Sequence, residues 1–371
     1  MPTSKLFTPV QVGRMQLAHR IALAPLTRFR SDDDHVPLPI VKAHYEQRGS
    51  VPGTFLITEA TFISPRAGGY PNVPGIWSEA QIAAWRTVTD AVHAKGSYIF
   101  LQVSAVGRVA DPDNLKKDGF DVVSSSAVPA SADGPVPREL TEEEIRGYID
   151  DYVQAGRNAM AAGFDGVEIH GANGYLVDQF LQDTSNRRTD RWGGSVENRA
   201  RFALEVTRAV AEAIGADRTA IRFSPFSTFQ GMRMADPVPQ FEYLAQQMRL
   251  LRLAYVHLVE PRIAGDAEVQ TSGVDSLGFF FRAYGGAGPV VVAGGFQADS
   301  AMEAVDLRYR DYDTLVAMGR HFTSNPDLPF RIQARIPLRP YEREKFYLPR
   351  DPSGYVDYDF SEEFKSARVA A

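Results

Sequence analysis

The chain has no cysteine in its 371 residues. That excludes a disulfide framework, a thiolate metal site and a cysteine nucleophile, and it suits a reducing compartment. An excess of positive charge is missing too: 40 Lys and Arg stand against 46 Asp and Glu, a formal net charge of −6. Without a basic face there is no electrostatic footprint for nucleic acid or for an anionic membrane, so neither is expected as a partner. No apolar run approaches the roughly 20 residues that span a bilayer, and the first residues, MPTSKLFTPVQVGRMQL, lack the apolar core of a secretory leader. A cytoplasmic location is the expectation. Neither HExxH nor HxH occurs, no metal site is expected, and no lysine sits at a strand end where a Schiff base would need one.

What is present is the composition of a globular protein, 44% hydrophobic and 23% charged. The length admits two ordinary domains or one large barrel. Short β-branched or apolar runs, each followed by a stretch of helical periodicity, decide between them. Strands are predicted at 20–25, 54–60, 98–103, 166–170, 220–224, 255–259, 290–295 and 314–319. Helices between them carry their own signals: Ser78 caps one that Gly96 stops, Thr141 and Glu144 form a capping box, and a third runs from Ser195 to Gly215. Eight βα units point to a single (β/α)₈ TIM barrel spanning residues 1–371 as one domain. An N-terminal hairpin is expected to close the bottom, with long loops after strand 3 (104–140) and strand 6 (260–289). Gly265 and Gly273 lie in the second of these loops.

In such a barrel the last residues of each strand face the catalytic mouth, so the strand list doubles as a site list. It contains Pro25, Thr27, Glu59, Ala60, Gln102, His170 and Arg222, then Gly294, Gly295, Gly319 and Arg320. Glycine-rich backbone beside an arginine after strands 7 and 8 is a phosphate grip, and it predicts a phosphorylated ligand. A lone Gln or Thr at a strand end is more often a structural hydrogen bonder. An arginine inside a strand is different, because a buried guanidinium demands an acceptor or counter-charge. His170 taken alone reads as structural. Asn173 and Tyr175 change that, since Gly171 and Gly174 argue for a loop that projects all three groups into the mouth.

The runs ALAPLTR, TEATFISP, FLQV, HGANGYLVDQF, DRWGGSVENRARF, GRHFTSNPDLP and the pair Phe346–Tyr347 together resemble the old yellow enzyme family of FMN-dependent ene-reductases. The spellings RSDDDHVPLPIV, QRGSVPGTFLITEAT and PGIWSE are similar to a fungal alkaloid-pathway branch, the chanoclavine-I aldehyde reductase-like one. The resemblance implies FMN held tightly without a covalent bond, NADPH as hydride donor and an α,β-unsaturated aldehyde or ketone as substrate. By that resemblance His170 and Asn173 bind the carbonyl oxygen, and Tyr175 protonates Cα. Thr27, Gln102 and Arg222 address the flavin ring, and Pro25 and Ala60 pass close to it. Gly294, Gly295, Gly319 and Arg320 hold the phosphate, and Phe296 packs beside the flavin. Tyr70, Phe226 and Tyr347 line or cover the substrate. No GxGxxG follows a strand, so NAD(P)H is expected at the open flavin face in alternation with substrate.

One departure stands out. The family usually carries tryptophan two residues after the strand-3 glutamine, where this chain has Ser104. The lost indole is expected to open volume for a bulkier or differently oriented substrate. That room also admits an alternative function, an FMN-dependent isomerase, cyclase or desaturase without net NADPH-driven reduction. A barrel that merely retains FMN is a further reading, opposed by the intact His170, Asn173 and Tyr175. A monomer or a homodimer is expected.

Overall fold

A computed structural model describes residues 4–265, 267–269 and 275–369. Eight parallel strands form its centre: β1 (Ile21–Leu23), β2 (Phe55–Ile57), β3 (Tyr98–Ser104), β4 (Gly166–Gly171), β5 (Thr219–Phe223), β6 (Tyr255–Val259), β7 (Val290–Ala293) and β8 (Thr314–Met318). Each pairs with its neighbours in sequence, and β8 pairs back on to β1 with Ala317 opposite Ala22, which closes the cylinder. The principal crossover helices are α1 (Pro39–Arg48), α2 (Glu79–His93), α3 (Glu142–Ala161), α4 (Val196–Ile214), α5 (Val238–Leu251), α6 (Gly278–Tyr284), α7 (Ala298–Glu303) and α8 (Leu328–Ala334). The barrel predicted from the sequence is the barrel observed.

Alternation along each strand sorts the side chains into two cores. Outward residues such as Leu56, Leu101, Ile169, Ile221, Leu258 and Val292 pack under the helices. Inward residues Phe55, Phe100, Ala220, Tyr255, Val291 and Leu315 form an apolar floor. The predicted hairpin, Val10–Val12 paired with Met15–Leu17, turns Val10, Val12, Met15 and Leu17 into this floor and plugs the bottom. Helix α3 shows how local and tertiary signals agree. Thr141 and Glu144 cap it reciprocally, and Ile145, Tyr148, Tyr152, Ala155 and Ala159 make one buried stripe at helical spacing.

Two expectations change. Residues 260–289 are not all loop, because α6 occupies Gly278–Tyr284 and buries Phe279, Phe280, Phe281 and Tyr284. Its seven residues are too few to establish a periodicity, and three consecutive phenylalanines read equally well as a strand. Gly265 is described, with φ +63°, while Gly273 lies outside the described residues. The third loop carries a short helix, Pro112–Lys117, and two paired two-residue strands, Val123–Ser124 and Arg138–Glu139.

A C-terminal strap crosses the mouth and is tied down by two buried arginines. Arg28 donates to the carbonyls of Phe346 and Gly354, and Arg30 to those of Lys345, Phe346, Asp351 and Ser353. Carbonyl acceptors fix a strap that has almost no secondary structure of its own. No helix among the described residues is long and apolar enough to cross a membrane.

If the hairpin is the barrel's floor, Leu17→Ala leaves a cavity that nothing can fill and lowers stability by about 2–5 kcal/mol. The shift of the denaturant midpoint reads this, and a loss below about 1 kcal/mol would show that the plug is dispensable.

Candidate active site at the barrel mouth

Above the apolar floor the inward positions become polar. Gln102 on β3 lies opposite Glu168 on β4, and Arg222 on β5 lies opposite both His170 on β4 and His257 on β6, with Ser104 two residues beyond Gln102. Thr58, just past the end of β2, accepts the Gln102 N–H through its hydroxyl at 3.0 Å, so β2 stays attached where its ladder stops. Two adjoining cavities of about 130 and 290 Å³ open above this ring.

The larger cavity is lined by Pro25, Thr27, Ala60, Gln102, His170, Asn173, Tyr175, Arg222 and Tyr347. The strand-end reading therefore collected residues that do meet. The other cavity runs beneath Pro25 and Arg222 to Gly294, Gly295, Phe296, Gly319 and Arg320, the predicted phosphate grip. Gly295 has φ +62°, which favours glycine, and a Cβ there would stand 3.0 Å from a Glu268 carboxylate oxygen. Arg320 meets that same carboxylate at 2.5 Å and the Tyr341 hydroxyl at 3.2 Å, so its guanidinium is already turned toward an anion.

The HGANGY segment leaves β4 through a sharp turn. Asn173 has φ +57° and Gly174 +76°; the Asn173 N–H donates to the Ser224 hydroxyl at 2.8 Å, and the Gly174 N–H to Asp178 at 2.9 Å. Tyr175 then starts a short helix, Leu176–Leu181. The turn brings the Tyr175 ring to 4.8 Å from the His170 ring, edge on. Burial, reinforced by the Arg222 charge, lowers the His170 imidazole to about 3, so it is neutral at physiological pH. Burial also raises the Tyr175 phenol, which keeps its proton. Three buried atoms at this place have no partner among the described residues: His170 Nδ1, Asn173 Oδ1 and Arg222 Nε. Buried polar groups are normally satisfied, so their convergence on one cavity marks a site built for a polar ligand. A planar group with polar edges and a phosphate tail, such as FMN, fits this lining.

Three predicted residues, Phe226, Ser104 and Tyr70, lie outside both cavities. Phe226 does not line either cavity; it is buried against Phe279 at 6.0 Å, and Phe229, three residues on, takes the lining position. Ser104 is buried, and the space beside it is a cavity of about 10 Å³ shared with Thr27, Ala60, Phe62, Tyr70, Val73, Val106 and Tyr175. That is room for about one water molecule. Phe62 and Tyr70, whose hydroxyl is anchored to the Val109 carbonyl at 2.7 Å, wall this small space, so no large opening stands beside Ser104. The sequence reading missed Leu26, Phe229, Ile263, Gly265, Arg343 and Phe346 in the lining, and Glu168 and His257 behind it. Only the last pair carried a signal, since charged or polar residues inside strands demand partners.

Comparison with known proteins agrees with this geometry. Residues 5–339 match the model of the NADH:flavin oxidoreductase / NADH oxidase family. The chain belongs to that family. It is 67% identical over 99% of its length to all of the chanoclavine-I aldehyde reductase fgaOx3 of Penicillium roqueforti. It is 57% identical to the NADP-dependent oxidoreductase lnbE of Aspergillus flavus, covering 97% of each chain. The crystal structure of an Old Yellow Enzyme from a Pichia species superposes with a TM-score of 0.90 at 38% identity, covering 97% of this chain and 94% of that one. The protein is an NAD(P)H-dependent flavin oxidoreductase of the old yellow enzyme type, using FMN.

Because the cavity beside Ser104 is nearly filled, Ser104→Trp overpacks it and lowers stability by about 1–3 kcal/mol. A denaturant midpoint equal to that of the wild type would mean that Phe62 and Tyr70 can give way.

Proposed function

We propose that this enzyme reduces the C=C bond of an α,β-unsaturated aldehyde, with NADPH as donor, in a fungal alkaloid-type pathway. The names of the two relatives support the aldehyde and NADPH, and the convergence of His170, Asn173 and Tyr175 on one cavity supports the chemistry. FMN, when bound non-covalently, supplies the hydride. The phosphate end falls to the Gly294, Gly295 and Gly319 backbone with Arg320, and the ring to Pro25, Thr27, Ala60, Gln102 and Arg222.

The side chains do the rest. A neutral His170 and the Asn173 amide donate hydrogen bonds to the aldehyde oxygen, so negative charge arriving at that oxygen is stabilised without a proton changing hands there. Arg222, buried opposite His170 on the adjoining strand, holds a positive charge beside them. Tyr175 stands ready as a protonated phenol to deliver a proton to Cα and regain it from solvent. Tyr347, half exposed and edge-on to Phe29 at 5.8 Å, covers the mouth from the strap. The redox-neutral alternative drew on room at Ser104, and with that cavity at about 10 Å³ nothing favours it over reduction.

Tyr175→Phe tests the assignment: reduction of the enzyme by NADPH stays near the wild-type rate, while turnover with an enal slows about 100- to 10,000-fold. Equal slowing of both half-reactions would assign Tyr175 to binding instead. Burial raises two carboxyls beside the site, Glu59 and Asp178, to about 7, whereas His170 sits at about 3. A break near pH 7 in the enal reaction therefore persists in His170→Gln, and its disappearance would show that His170 does titrate there.

A further inference from the structure

Behind the site, three donors surround one carboxylate that no part of the chemistry above uses. Glu168 is completely buried on β4. Gln102 Nε2 donates to its Oε1 at 2.7 Å; the Tyr255 hydroxyl at 2.9 Å and His257 Nδ1 at 2.8 Å donate to its Oε2. Each of these donors is itself buried, and all come from the same closed sheet, Gln102 from the adjoining β3 and Tyr255 and His257 from β6, two strands away. Glu168 is also the one carboxylate that acts electrostatically on Arg222.

We propose that Glu168 is a positioning residue that sets how strongly this site favours reduced over oxidised FMN, by fixing the Gln102 amide and offsetting the charge of Arg222. The inference rests on the reading that Gln102 and Arg222 address the flavin ring. An ionised carboxylate only accepts hydrogen bonds, so the Gln102 amide must turn its nitrogen toward Glu168 and present its carbonyl oxygen the other way. The same carboxylate fixes the His257 tautomer, proton on Nδ1, and leaves Nε2 buried without a partner among the described residues. Burial lowers the His257 imidazole, so the ring carries the Arg222 charge and the Glu168 charge and nothing else. Burial alone would raise Glu168, yet the hydrogen bonds from His257 and Gln102 and the charge of Arg222 hold it below the usual carboxylate range, and it stays ionised.

The consequence is electrostatic. Reduced flavin gathers negative charge at the ring edge that Arg222 addresses, and an uncompensated guanidinium stabilises it. Glu168 reduces that advantage, because its charge acts at close range in a medium of low dielectric. A site without it would accept hydride from NADPH readily and release it to the enal reluctantly. Tyr255 moderates the carboxylate by donating to it, so its loss should act in the opposite direction.

The test is the two-electron reduction potential of the purified FMN-bound protein, measured by equilibration with a reference dye during anaerobic reduction. In Glu168→Gln the affinity ratio for reduced over oxidised FMN rises about tenfold, a positive shift of about 30 mV for a two-electron couple. In Tyr255→Phe the potential moves negative. Potentials equal to wild type in both variants, with FMN still bound, overturn the inference and leave the cofactor reading intact. Should Glu168→Gln fail to fold, Tyr255→Phe decides alone, and an unchanged potential there overturns the proposal. A wild-type protein that takes up no FMN overturns the cofactor reading and this inference with it.

Discussion

Closing eight short strands into one cylinder turns every second side chain of each strand inward, and those positions cannot reach water. The identity of the inward residues therefore decides everything else. Where they are apolar, as at Phe55, Phe100, Tyr255 and Leu315, they make a floor that the N-terminal hairpin seals. One layer higher they are Gln102, Glu168, Arg222 and His257, and the floor becomes a platform of fixed charges and hydrogen bonds. Buried charge at this density is expensive unless each group has a partner. The closed sheet provides the partners, since β3 beside β4 and β6 two strands away bring the Gln102 and His257 side chains within 2.8 Å of the carboxylate that Glu168 projects.

Function sits on the other side of the same platform. Strands β4 and β5 and the turn after β4 bring in groups of settled protonation: burial keeps His170 neutral and Tyr175 protonated, and the Glu168 carboxylate supports the charge of Arg222. Nothing there must be rearranged for charge to develop on a substrate oxygen, which is the condition for electrostatic catalysis to be effective. The C-terminal strap, pinned by Arg28 and Arg30, then brings Phe346 and Tyr347 over the mouth from more than 300 residues away in sequence.

Much of this is legible in the sequence because the signals are local. Apolar runs at βα spacing announce the eight strands, and Ser78, Thr141 and Ser195 announce helices through caps that the structure confirms. Strand ends placed Thr27, Gln102, His170, Asn173, Tyr175 and Arg222 around one cavity. What stayed hidden depends on contacts between distant segments. The strap is held by side chain to carbonyl bonds that leave no periodicity, α6 is too short to show one, and Phe226 turns to Phe279 while Phe229 lines the cavity, a choice no local pattern marks. The volume at Ser104 stayed hidden for a related reason: a small side chain opens space only if its neighbours leave it free, and here only about 10 Å³ stands open between Ser104, Phe62 and Tyr70.

The central claim is that this mouth passes electrons from NADPH to an enal through bound FMN, and an anaerobic visible spectrum tests it most directly. The account predicts flavin absorption in the purified protein that bleaches with one equivalent of NADPH and returns when an α,β-unsaturated aldehyde is added. Flavin that NADPH cannot bleach, or that stays bleached in the presence of the enal, would contradict it.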